Sequence, residues 1–244
     1  MTIIALHGFT GEGADFAELR AHLPATTEFI APDLPGHGTR RGLRQLEDYS
    51  LRTHLTIVDE AVGDHEGATL LGYSMGGRLA LHWALANPAR WRRLILIGAS
   101  PGLITLEERA ERQLAAAALA TFLRTQGLAA FHKYWHHQPM LRTFFRDASP
   151  ARDALLARRA ANSPEALALS LETVGTGSLP SLWDRLGELR GAVDLVTGEF
   201  DPKFTELARR MGEKIPRARL SVVEGAGHAV HLERPGDLAT LLSP

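Results

Sequence analysis

Short apolar runs alternate with longer amphipathic stretches along this chain. Residues 3–6, 29–31, 69–71, 94–97 and 193–196 are short and apolar, several are β-branched, and most lead into Gly or Pro. Runs of that kind predict buried parallel strands, because a strand covered on both faces has no polar side to show. Helical patterns lie between them, over residues 15–23, 51–62, 75–86 and 203–211. Strand–helix alternation predicts an α/β fold, a mostly parallel sheet flanked by helices on both faces.

The alternation stops between about residues 101 and 180, where no strand pattern appears. That stretch opens with Thr105 and Glu108 spaced as a capping box, and Gly127 marks the expected helix stop. A later helix is expected to start with Ser163 as N-cap and Pro164 in its first turn. An all-helical insertion in an α/β chain reads as a cap over the carboxyl edge of the sheet. The expected division is a core in two parts, residues 1–100 and 181–244, with a helical cap over 101–180.

Composition narrows the classes of function. The chain has 244 residues, enough for one domain with an insertion, and its apolar and charged fractions of 45% and 23% are ordinary for a globular protein. A net charge of −1 offers no reason to expect nucleic acid as a partner. With no cysteine, disulfides, thiol catalysis and cysteine-ligated metals are excluded. No apolar stretch reads as a bilayer span, so membrane insertion is not expected. The N-terminus has no basic region before its apolar residues and runs directly into a motif. It is read as a first strand, and a cytoplasmic location is expected.

Gly72-Tyr73-Ser74-Met75-Gly76 is G-x-S-x-G, with a strand pattern before it and a helix pattern after it. This is the context of a nucleophile elbow, in which small neighbours let a serine project from a sharp strand-to-helix turn. The amide after the serine, here that of Met75, can then point at a developing oxyanion. A serine hydroxyl needs a histidine to take its proton and a carboxylate to orient that histidine, in the chain order Ser, acid, His. His228 sits in a small loop after a late strand, and His231 three residues on reads as a packing residue. Asp201 ends the loop of the preceding strand; Glu199 lies nearer the turn, and Asp194 falls within the strand. The candidate catalytic residues are therefore Ser74, Asp201 and His228.

The segment "IALHGFTG" and the turn "PDLPGHG", residues 32–38, complete a set of four motifs in order across the chain. Together they resemble the α/β-hydrolase superfamily. The resemblance implies that the Phe9 amide is the second oxyanion donor, beside Met75, and that His7 buttresses the loop. One departure is Ala192, which stands where the superfamily usually has proline at the strand before the acid.

"GYSMGGRLAL", "SPGL…EERAER", "YWHHQP", "RRAAN" and "TGEFDPKF" resemble one family within that superfamily. It is the family of 2-succinyl-6-hydroxy-2,4-cyclohexadiene-1-carboxylate synthases of menaquinone biosynthesis. The resemblance implies a carbon–oxygen lyase that eliminates pyruvate from 2-succinyl-5-enolpyruvyl-6-hydroxy-3-cyclohexene-1-carboxylate, with the Ser-His-Asp triad acting as base. It implies a polycarboxylate small-molecule substrate and no metal or organic cofactor. Arg78, Arg112 and Arg159 match carboxylate-binding arginines, with Arg109 and Arg158 as the alternatives in their motifs. Tyr73 and Trp135 match aromatics around the substrate. Arginine suits the task physically, because its planar fork binds a carboxylate through two parallel hydrogen bonds. The alternative is a carboxylesterase or C–C bond hydrolase that uses the same triad on a small acidic substrate.

Overall fold

Along the central strands, successive residues enter different cores. In the computed structural model, which describes residues 1–146 and 149–242, the strands are β1 (Thr2–Leu6), β2 (Glu28–Ile30), β3 (Ala68–Tyr73), β4 (Trp91–Ile97), β5 (Ala192–Gly198) and β6 (Ala218–Val223). They pair in parallel in the order β2-β1-β3-β4-β5-β6. Ile4, Leu6, Leu70, Leu94, Leu96 and Leu195 point to one face, and Ile3, Ala5, Leu71, Ile95, Ile97 and Val196 to the other. Both faces are apolar, which is why the strands read as unbroken apolar runs rather than alternating ones.

The helices are α1 (Ala17–Ala21), α2 (Leu51–Val62), α3 (Met75–Ala86), α4 (Leu106–His136), α5 (Arg142–Arg146), α6 (Pro150–Ala160), α7 (Pro164–Val174), α8 (Pro202–Gly212), α9 (Val230–Glu233) and α10 (Pro235–Leu242). Val58, Leu79, Trp83 and Met211 from α2, α3 and α8 fill the first face. Leu19, Val230, Leu238 and Leu242 from α1, α9 and α10 fill the second. This is the α/β-hydrolase architecture, and it brings the loops after β1, β3, β5 and β6 to the carboxyl edge of the sheet.

Between β4 and β5 the described residues contain helices and no strand. Thr105 and Glu108 form a reciprocal capping box at the start of α4. Ser163 caps α7 through the Ala166 amide, with Pro164 in the first turn. The two helices share a small core of their own, made by Ala120, Leu123, Phe131, Leu167, Ala168 and Leu171.

Gly127 is the stop that the sequence predicts: its φ of 76° and ψ of 177° are non-helical, and a second helical segment, counted within α4, begins beyond it and runs to His136. The glycine is thus a kink between two helical halves. Helix α4 also meets the length and composition of a membrane span, with a mean hydropathy of 1.3 over 18 residues, contrary to expectation. Its alanine-rich middle produces that value, while Leu123 and Phe131 pack toward α7.

Helix α3 must approach β1 closely, and Gly76 makes that possible: a Cβ there would lie 2.1 Å from the Leu6 carbonyl oxygen. Neither backbone can yield without moving the sheet. Gly76→Ala should lower stability by about 3 kcal/mol or abolish folding, whereas Gly42→Ala, which meets nothing within 4 Å, should change it by less than about 0.5 kcal/mol. Urea unfolding of both variants measures the contrast.

Candidate active site

Ser74 follows β3 with φ 50° and ψ −106°, and its amide donates to the Ile97 carbonyl at 2.9 Å. Among the described non-glycine residues, only Ser74 and Thr10 have positive φ. Such a conformation costs on the order of 1–3 kcal/mol and persists only where neighbouring structure imposes it. Here Gly72 permits the turn, since a Cβ at that position would come 2.5 Å from the Gly77 Cα. Ser74 is the N-cap of α3 but makes no capping bond, so its hydroxyl is left for another partner.

That partner is His228, in the loop between β6 and α9. Ser74 Oγ lies 3.2 Å from His228 Nε2, and His228 Nδ1 lies 2.6 Å from Asp201 Oδ2. Asp201 caps α8 just after β5, so its position is set by the helix start as well as by the histidine. His228 and Asp201 are 1% and 3% exposed. A carboxylate so buried beside Nδ1 holds the imidazole with Nδ1 protonated and Nε2 free to accept the serine proton. Three residues spread over 154 positions thus form one hydrogen-bonded chain.

The rival residues are occupied elsewhere. His231 is buried with its ring 4.3 Å from that of Tyr73 and 4.9 Å from that of Phe16, and burial pushes its pKa down to about 3. Asp194 is paired with Arg93 and Arg219, and Glu199 accepts from the Gly225 amide.

The loop after β1 is tied by two buried histidines. His7 Nε2 accepts from the Leu34 amide at 3.0 Å, and His37 Nε2 accepts from the Thr10 amide at 3.2 Å. Their Nδ1 atoms sit 2.9 Å from the carbonyls of Gly8 and Pro35 respectively. Burial lowers both pKa values, which keeps each ring neutral with one donor and one acceptor in use. The Phe9 ring packs edge-on against Phe131 and Trp135 of α4. Asn162 donates to the Thr10 carbonyl at 2.9 Å, and Arg158 reaches Asp15 at 2.8 Å. The loop is therefore fastened both to the sheet and to the helices above it.

The arginines separate by their partners. Arg78 donates to the Val174 carbonyl at 3.2 Å, but its Nε is buried with no partner. Burial, and the charge of Arg112 close by, lower its pKa to about 10. Arg109 turns to the Gly177 carbonyl, not to the neighbouring glutamates, which leaves Arg112 as the cation facing Arg78. Arg158 is taken up by Asp15 and Glu12. Arg159 is 5% exposed, lies 3.9 Å from Asp15 at best, and leaves its Nε unpartnered. Tyr73 is buried between His228 and His231, and burial raises its pKa. Trp135 stacks on Phe131 at 5.5 Å, over the Phe9 loop.

A sequence profile of the alpha/beta hydrolase family matches residues 3–241. The chain belongs to that family. A putative 2-succinyl-6-hydroxy-2,4-cyclohexadiene-1-carboxylate synthase of Bacillus subtilis (strain 168) is 37% identical to this α/β hydrolase over 236 residues, 96% of this chain and 85% of the relative. The synthase of Shigella dysenteriae is 32% identical, over 98% of this chain and 91% of its own. The solved structure of MenH from S. aureus superposes with a TM-score of 0.91 at 28% identity, covering 99% of this chain and 91% of that one. A thermophilic esterase from Thermogutta terrifontis shares the fold, with a TM-score of 0.84 at 22% identity, over 99% of this chain and 88% of that one.

One residue of this α/β hydrolase escaped the sequence reading. Glu233 accepts from the Gly227 amide at 2.9 Å and from the Ala229 amide at 3.1 Å, the amides of the two residues that flank His228. Its spacing, five residues after the histidine on a single helical turn, carries no periodic signal. It acts on the histidine through the backbone, as a positioning residue. Glu233→Ala should slow labelling of Ser74 by a fluorophosphonate by roughly 10- to 100-fold, as a misplacement of about 1 Å would. Glu233→Gln, which keeps one acceptor, should lose less.

Proposed function

We propose that this enzyme is a lyase that eliminates pyruvate from 2-succinyl-5-enolpyruvyl-6-hydroxy-3-cyclohexene-1-carboxylate. The observation that carries the reading is the buried guanidinium of Arg78, one turn beyond Ser74, which has a single backbone carbonyl as partner, an unpartnered Nε and a second cation, Arg112, as its charged neighbour. A buried arginine with no carboxylate of its own is costly unless a ligand supplies one. The substrate carries three carboxylates, and Arg159 is a third under-partnered cation. The likeness to the Bacillus and Shigella synthases supports the same reaction.

In this reading Ser74, made basic by His228 and Asp201, removes the ring proton next to the succinyl carbonyl. The C–H electron pair forms a new ring double bond, the existing one shifts, and the C–O bond to the enolpyruvyl group breaks. The departing enolate takes up a proton and becomes pyruvate. No acyl-enzyme forms and no water is consumed. Negative charge gathers on the succinyl carbonyl oxygen, where the amides of Phe9 and Met75 serve as donors. The Met75 amide opens α3 and so lacks an intrahelical acceptor. Tyr73 and Trp135 wall the site. A polycarboxylate of this kind points to metabolism in the cytoplasm.

Coupling pyruvate release to lactate dehydrogenase tests the activity directly. Ser74→Ala and His228→Ala should each reduce turnover by roughly 10³-fold or more, and the double variant should be little worse than either, because the groups act as a unit. Ready p-nitrophenyl acetate hydrolysis without pyruvate release would replace the lyase with a hydrolase.

The arginines give a second, independent check. Removing one partner of a buried charge pair costs about 2–5 kcal/mol, so Arg78→Met, Arg112→Met and Arg159→Met should lower kcat/KM by roughly 30- to several-thousand-fold. The loss should be largest at Arg78 and far smaller on a neutral ester. Equal losses on both substrates would make these arginines supports of the fold.

A further inference from the structure

Beyond the kink at Gly127, α4 carries His132 and His136 one turn apart, with rings stacked at 5.3 Å. The His136 ring lies 3.9 Å from that of Phe145 on α5, and the Arg159 guanidinium of α6 lies 5.7 Å from the centre of the same Phe145 ring. Two helices, α4 and α6, therefore bring two imidazoles and one guanidinium around the Phe145 ring of a third, α5. All three leave a buried nitrogen without a partner: Nε2 of His132, Nε2 of His136 and Nε of Arg159. Arg159 cannot turn fully to Asp15, whose other oxygen is held by Arg158 at 2.8 Å.

Unmet buried polar atoms are rare, and each costs about 1–3 kcal/mol. Three unmet nitrogens in one cluster are a cost that the stacking of these side chains does not remove. Their chemistry states what would satisfy them. Burial and the charge of Arg159 hold both imidazoles neutral, with pKa values pushed down to about 4, so each ring has one N–H to give. A cation with two neutral donors matches a carboxylate, whose two oxygens accept several hydrogen bonds at once. This place is separate from that of Arg78, whose charged neighbour is Arg112 and whose bonded partner is Val174 on α7.

We propose that His132 and His136 are substrate-binding residues which, with Arg159, form a second carboxylate subsite on the helices above the sheet. The inference rests on the polycarboxylate reading above, and it adds two residues that discriminate among acidic substrates. Neutral donors are suited to that task, because they bind an anion without demanding that a further charge be neutralised.

Two measurements test it. The first is a titration of the wild-type enzyme with succinate, followed through the imidazole ¹⁵N resonances, with His132→Gln and His136→Gln assigning the two rings. Saturable shifts at both Nε2 atoms are expected, and Arg159→Met should abolish them. The second is the KM for the enolpyruvyl substrate. His132→Leu and His136→Leu should each raise it by roughly 10-fold or more with a smaller change in kcat, and the Gln variants, which keep an N–H donor, should recover most of the loss. Resonances that stay fixed through the succinate titration, or Leu variants with an unchanged KM, would overturn the subsite. An enzyme that releases no pyruvate, yet shows the succinate shifts, would overturn the lyase reading and leave the subsite standing.

Discussion

Everything in the site is referred to one strained residue. Ser74 is held at φ 50° because β3 and α3 meet at an angle that only this turn closes, and because Gly72 and Gly76 remove the Cβ atoms that would keep the elements apart. The strain is stored in a backbone that two layers of core prevent from relaxing. It aims the hydroxyl at His228 and leaves the amide behind it unbonded at a helix N-terminus, where a developing negative charge is best received. The loops after β5 and β6 need only supply an acid and a histidine within reach.

The helices above the sheet are not a separate lid resting on a finished site. Asn162 holds the Thr10 carbonyl, Arg158 holds Asp15, and the Phe9 ring is packed against Phe131 and Trp135. The loop assigned an oxyanion amide is thus shared between sheet and helices. Movement of α4 or α6 would be felt at that loop, so the roles proposed for the arginines and for the Phe9 amide would be mechanically linked.

Electrostatics follows a similar division. Burial holds the histidines near Arg159, among them His7, His132, His136 and His231, neutral. Asp15, a buried carboxylate near Arg159, is largely committed to Arg158. Arg78 has a second cation, Arg112, as its charged neighbour. Under the proposed reading a polyanion answers that arrangement better than a neutral ester.

Residues whose role is local were legible in the chain itself. The elbow glycines, the capping pair Thr105–Glu108, the N-cap Ser163 and the order Ser74, Asp201, His228 each follow from short-range geometry or from the strand after which a loop must come. Gly127 was legible as a helix stop, but that a second helical segment follows at once depends on whether it finds a surface, and Phe131 finds α7. The choice between Arg158 and Arg159 also lay outside the sequence, since adjacent residues on a helix point about 100° apart and only the position of Asp15 decides which is engaged. Glu233 and His132 carried no signal for the same reason, and the motif that contains His136, "YWHHQP", gave no role for the histidine. Their partners are backbone amides, an aromatic ring and an arginine on other elements, and a linear pattern records periodicity along one element, not what another element places opposite it.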